Sequence, residues 1–259
     1  MFSQEERCIY GNNQLMEVIC QLRFPTILSI DAKEPADFQD AIRDVFPQYE
    51  VRQEQVPPKV VQIPGGPPRV EPQKPVTNYQ FRTADNRYRI NLTRNFISLS
   101  CNRYHAWEEF AGLLDQPLAA FIRTYDPAYF ERVGLRYVNG FSKTALGLEE
   151  QPWRELIEPA YLGLLASEDV PEQAFARCMQ DVEASIPGGC RMKLRVGPGM
   201  VKGSKGQENR MIFDLDVFQA GNIPVNLAAA SMQTVHIQAG SIFRDAITDT
   251  LHEAMEPED

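Results

Sequence analysis

Between residues 16 and 24 the chain alternates with a period of two. Met16, Val18, Cys20, Leu22 and Phe24 fall on one side, Glu17, Gln21 and Arg23 on the other, and Pro25 closes the run. That period predicts a half-buried β-strand. It then changes: over 37–47, Phe38, Ile42, Val45 and Phe46 recur at helical spacing, with Asp37 as a natural N-cap and Pro47 as a stop. Extended structure resumes over 49–56. Three short strands are predicted over 78–84, 87–93 and 96–101, with Asp85-Asn86 and Arg94-Asn95 supplying the turns. A long helix follows over 105–125. Its apolar stripe is Trp107, Phe110, Leu114, Phe121, Ile122 and Tyr125, and Pro117 is expected to kink it.

The pattern then restarts. A strand is predicted over 129–141, helical material over 152–165, and strands over 175–186, 189–197 and 210–218. A final helix over 225–255 carries Val235, Ala239, Phe243, Ile247 and Leu251 at i, i+4 spacing. The first strand of each series ends alike, in Leu22-Arg23-Phe24 and Leu135-Arg136-Tyr137. Each half therefore reads strand–helix–three strands–long helix. The expectation is an α+β fold of two duplicated halves, 1–127 and 128–259, with antiparallel sheets and pseudo-two-fold symmetry. Each half's sheet has one apolar face for its long helix to cover, and joining the halves hides sheet edges.

One segment interrupts the first half. Residues 56–75 hold seven prolines and two glycines. Proline fixes φ and removes a backbone donor, which excludes a central strand or helix. A long, extended surface insertion is predicted, with a Pro-rich recognition segment as the sharper alternative.

Composition narrows the functional classes. With 43% hydrophobic residues in 259, a substantial core can form. No stretch approaches the roughly 20 apolar residues of a membrane span. Glu5, Glu6 and Arg7 stand where a signal peptide would be apolar, so the chain reads as soluble and cytoplasmic, with no membrane partner. Five cysteines without a CxxC pair support neither a disulfide framework nor zinc, and read as buried free thiols. A net charge of −9 weighs against general nucleic-acid binding. The charge is uneven: 81–103 holds five arginines to one acid and 191–210 six basic residues to one acid, so a basic face is carried as an alternative.

No catalytic constellation stands out. The three histidines, His105, His236 and His252, lack metal-binding spacing, and no nucleophile elbow occurs. The Gly- and Lys-rich run 197–207 departs from the phosphate-loop order and reads as a flexible hairpin loop. Asp214 and Asp216 share a strand face; a Mg²⁺ pair is weighed against a solvated face, and the latter is preferred. No metal or cofactor is expected. The repeated arginines carry the sharpest hypothesis. Arg23 and Arg136 would converge near the pseudo-axis as an anion site, flanked by Tyr104, Trp107 and Tyr137 and by the start of the long helix, whose dipole favours an anion. The plainer reading pairs these arginines with Glu17 or Glu131, or leaves them to solvent.

The segments 17–25, 38–50, 96–110, 131–140 and 243–251, in that order, resemble a sporadically distributed family of bacterial proteins of this length to which no function is assigned. The resemblance implies accessory genes, such as defence or toxin–antitoxin neighbourhoods, and no catalytic residues. The functional reading is a non-enzymatic binding or regulatory accessory protein, with a protein partner first and a small anionic ligand second. A small-molecule or nucleotide sensor with a cleft between the halves is one alternative. A nuclease or nucleotide-processing enzyme is another.

Overall fold

The alternating segments become one antiparallel sheet. In the computed structural model, which describes residues 2–3, 5, 7–62, 66–203 and 206–258, its strands are β1 (Leu15–Arg23), β2 (Gln48–Glu54), β3 (Val76–Arg82), β4 (Tyr88–Thr93), β5 (Phe96–Cys101), β6 (Phe130–Phe141), β7 (Gln180–Ile186), β8 (Cys190–Gly203) and β9 (Gly206–Ile223). Their order across the sheet is β7-β8-β9-β6-β1-β5-β4-β3-β2. The chain is thus mixed α/β with antiparallel pairing in its sheets. The central seam is β1 against β6, with Leu22 opposite Val133 and Cys20 opposite Leu135.

Helices gather on the face that carries Leu22 and Leu135. They are α1 (Ala36–Ile42), α2 (Trp107–Tyr125), α3 (Ala228–Ala246) and α4 (Asp249–Ala254). Phe121 of α2 packs on Phe24 at 4.6 Å between ring centres, Phe38 of α1 on Phe81 at 5.3 Å, and Met232 of α3 meets Cys20 at 3.6 Å between sulfurs. Leu22, Leu135, Phe121 and Val235 are fully buried there. Among the described residues no helix is long and apolar enough to cross a membrane.

Several expectations shift. The long helix starts at Trp107 rather than 105 and runs unbroken through Pro117. The final helix is not continuous: it breaks at Ile247, which is extended and bridges to Ile157, and α4 restarts behind Thr248, whose hydroxyl accepts from the Leu251 N–H at 3.4 Å. The i, i+4 stripe survives the break because Ile247 and Leu251 are buried on either side of it. Of the cysteines, Cys20, Cys101 and Cys190 are buried, while Cys8 and Cys178 are only half-buried. In the Gly- and Lys-rich run 197–207 the chain continues as a β8–β9 ribbon to Gly203 opposite Gly206, and residues 204–205 lie outside the described residues.

The Pro-rich insertion is a short ribbon rather than a plain loop. Lys59–Val61 pairs antiparallel with Arg69–Glu71, while 63–65 lie outside the described residues. Val60 and Val70 are 58% and 61% exposed, so the ribbon shields no core. Because Glu54 and Val76 are direct partners on β2 and β3, deleting 57–74 leaves Gln55, Val56 and Pro75 as a three-residue hairpin connection. The melting temperature of that deletion should stay within about 5 °C of the parent, since surface loops change length cheaply. A larger drop would place the ribbon against the body.

Candidate functional site

Alternation that buries Leu22 and Leu135 turns their neighbours to the opposite face of the sheet. That face is polar throughout its middle. On the β2–β5 side it is knit by amides and hydroxyls: Asn78 donates to Asn91 Oδ1 at 3.3 Å, and Asn91 to Ser98 Oγ at 3.3 Å, while the buried Asn78 Oδ1 has no partner among the described residues.

On the β6–β9 side charges replace the amides. A groove of about 470 Å³ lies across the seam, bordered on β1 by Ile19, Gln21 and Arg23, on β6 by Arg132, Gly134 and Arg136, and beyond them by Asp216, Phe218, Arg191, Lys193 and Glu183. Arg132 is the best-held cation: both oxygens of Asp216 accept from its Nη2, at 2.6 and 2.7 Å, and its guanidinium lies 4.4 Å from the Phe218 ring centre. Arg191 approaches the same ring at 5.7 Å. Gly134 makes this arrangement fit, because a Cβ there would stand 2.3 Å from Arg132 Nη1. Arg136 forms a two-pronged pair with Asp214, both contacts at 2.6 Å. Arg191 and Lys193 share Glu183. Arg23 is exposed and has no ion pair or hydrogen bond among the described residues. Five cations thus meet only Glu183, Asp214 and Asp216, which leaves two positive charges over.

The structure therefore gathers Arg23 and Arg136 on one surface, but separates them from the other residues expected beside them. Tyr104, Trp107 and Tyr137 lie on the helix-covered face, with the sheet between. The reason is local: residues 136 and 137 are neighbours on a strand and must point apart. The expected acid partners of Arg136, Glu17 and Glu131, give way to Asp214 on the adjacent strand β9. The start of α2 holds no vacancy for an anion either, as Glu108 and Glu109 already occupy its first turn.

On that covered face the aromatics surround His236 of α3. Its ring stacks on Trp107 at 4.3 Å and 9° between planes. Arg7 donates to Nε2 at 2.7 Å, and because arginine can only donate, the ring proton sits on Nδ1, which faces the Tyr137 hydroxyl at 2.9 Å. Tyr137 meets the Tyr104 ring edge to face, and burial pushes its hydroxyl well above the ordinary tyrosine range. Burial first, and then the Arg7 charge, push His236 down to about 4, against a smaller opposing pull from Glu108. It is held neutral.

Asp214 and Asp216 are each occupied by an arginine, and no three His, Cys, Asp or Glu side chains converge among the described residues. The two basic stretches do not merge into a basic stripe. Arg82 faces Glu50, Arg89 Glu17 and Arg94 Asp31, while Arg195 faces Asp181. Such alternation of sign opposes the long run of phosphate contacts that nucleic-acid binding requires. Arg132, Gly134 and Phe218 escaped the sequence reading, and Asp216 entered it as half of a weighed Mg²⁺ pair rather than as an arginine's partner, although Gly134 inside an apolar strand signals close approach of another group. Neither models of known protein families nor curated proteins match the chain.

Proposed function

We propose that the chain is a non-enzymatic binding protein whose seam groove receives an anionic group, in the first instance acidic side chains of a protein partner. The observation that carries this reading is Arg23, a guanidinium with no acid of its own beside four further cations. Guanidinium forks suit carboxylates, and exposed unpaired charge both steers and orients an anionic partner. The groove is shallow and polar, which fits side chains presented by a macromolecule better than an engulfed metabolite. An accessory role, as the family resemblance implies, belongs to the same proposal.

The duplication belongs here too. Outward from the seam the order β1, β5, β4, β3 mirrors β6, β9, β8, β7, and each series ends in a long helix, α2 and α3. Leu22 and Leu135 share the covered face, as Arg23 and Arg136 share the other. β2 has no counterpart. These correspondences support two repeats, 1–127 and 128–259, about an axis through the seam.

An octa-glutamate peptide is the direct probe. It should bind the parent protein saturably and more weakly as salt rises. Arg23→Ala should weaken binding about tenfold, the scale of one charge-assisted hydrogen bond, without moving the melting temperature. Arg23 is the better target than Arg136, whose removal would strand Asp214, only 14% exposed. Equal affinity of parent and Arg23→Ala would defeat the proposal. Binding of inorganic phosphate but not of the peptide would move it to a small-anion sensor.

A further inference from the structure

A second cavity lies on the other side of the sheet, far in character from the charged groove. It has a volume of about 110 Å³ and sits beneath the N-terminal segment 7–14, between β6, the start of α2 and α3. Its walls are Tyr104, Trp107, Tyr137, His236, Phe243 and the aliphatic carbons around Ala239 and Leu215. Tyr104 and Tyr137 meet edge to face at 5.8 Å and 86°. A lining made largely of rings favours a further ring, which can meet them face to edge or offset.

The polar groups at its border are nearly all spent. His236 and Tyr137 satisfy each other, Arg7 is held by His236 and by Glu108 at 2.8 Å, and Asn13 donates to the Tyr104 carbonyl while accepting from the Leu15 N–H. Among the described residues the exposed His105 makes no side-chain hydrogen bond, and of the buried groups Asn139 is the exception. It is 3% exposed, lies on the covered face between Tyr137 and Phe141, borders the cavity, and its carboxamide has no hydrogen-bond partner among the described residues. Its polar atoms open onto the cavity with donor and acceptor both unspent, so they are available to a bound group.

We propose that this cavity is a binding site for a small, neutral, planar aromatic molecule carrying one hydroxyl or lactam group. Volume sets the size: an apolar cavity of about 150 Å³ holds benzene, so at about 110 Å³ a single six-membered ring is the upper limit. The aromatic walls set planarity. Asn139 sets the polar group, since a carboxamide offers a donor and an acceptor side by side, which a phenolic hydroxyl or a lactam edge can meet. Neutrality follows from Arg7, the one arginine or lysine lining the cavity among the described residues, being engaged already. Entry is provided by a cleft of about 380 Å³ that shares Arg7, Cys8, Tyr10, His236, Gly240 and Phe243 with the cavity and leads outward along α3 past Arg244 and Glu5.

Phenol and toluene are matched probes, alike in shape and differing in the hydroxyl. The readout is the indole N–H resonance of Trp107, which the structure places in a hydrogen bond to Gln233 Oε1 at 2.9 Å and which Trp107→Phe identifies. Both probes should shift that resonance saturably, phenol with the higher affinity. Asn139→Leu should weaken phenol about tenfold, the scale of one hydrogen bond, and leave toluene unchanged or tighter. Gly240→Met supplies an independent check. A Cβ at Gly240, which borders both the cavity and the cleft, meets nothing within 4 Å, so a longer side chain there should obstruct the cavity or its entry and abolish both shifts. Absence of saturation by either probe overturns the proposal, as does phenol binding that survives both substitutions. Arg23→Ala, on the opposite face, should alter neither probe, which keeps this site separate from the anion groove.

Discussion

Leu135→Ala will lower the free energy of unfolding by roughly 2–5 kcal/mol, and Leu22→Ala by a similar amount. Both side chains are fully buried at the seam between β1 and β6. Leu135 stands opposite Cys20 on one side and Val217 on the other, so its loss opens a hole at the line where the two parts of the sheet meet. Truncation forfeits the transfer energy of the removed carbons and adds the cost of a cavity that a paired strand cannot collapse to fill. Against a total stability of about 5–15 kcal/mol this is a large fraction. Leu135→Met, which conserves volume, should cost less than about 1.5 kcal/mol. Urea unfolding reads both. A Leu135→Ala loss below about 1 kcal/mol would show that the seam is not a close-packed junction.

The second large effect is acid sensitivity. His236 is 6% exposed, receives a hydrogen bond from Arg7, and is pushed down to about 4 from an ordinary value of 6.5. Between those two values the unfolded chain binds a proton that the folded chain refuses. Stability is therefore fully present above about 6.5 and falls as the pH drops towards 4, by on the order of 3 kcal/mol in all. Protonation would also set an imidazolium against the Arg7 guanidinium, loosening the N-terminal segment first. Carboxylates add their own acid dependence towards the lower end of this window, so the measurement is a difference: urea midpoints from pH 7 to pH 4 for the parent and for His236→Gln. The parent should lose more stability than the variant between 6.5 and 4. Parallel curves would mean that His236 titrates in the folded protein much as it does in the unfolded one.

The elements that were legible share a cause. Strand 16–24 and the restart near 130 announced themselves because a half-buried strand must alternate, and the α2 stripe because one helix face must be apolar. The break at Ile247 was hidden, since its stripe of buried positions continues on both sides and only the bridge to Ile157 pulls the backbone out of the helix. The ribbon inside 56–75 was hidden too, because proline count argues against central strands but not against a two-stranded excursion.

The candidate sites divide in the same way. Arg23 and Arg136 were visible as a repeated word in the sequence, and their shared face followed from strand period alone. That Arg136 belongs to Asp214, that Arg132 lies across Gly134, and that Tyr137 turns away towards His236 depend on which strands become neighbours. Arg7 and His236, 229 positions apart, meet only because the N-terminal segment crosses over α3. By itself the sequence determined the class of fold, the strands, the long helices and which side chains face the core, since these follow from local period and burial. Tertiary structure alone decided which charges remain uncompensated and which amide opens unpartnered onto a cavity. Both are differences between a group and its neighbours across the sheet, and those neighbours are fixed by strand order and register, not by position along the chain.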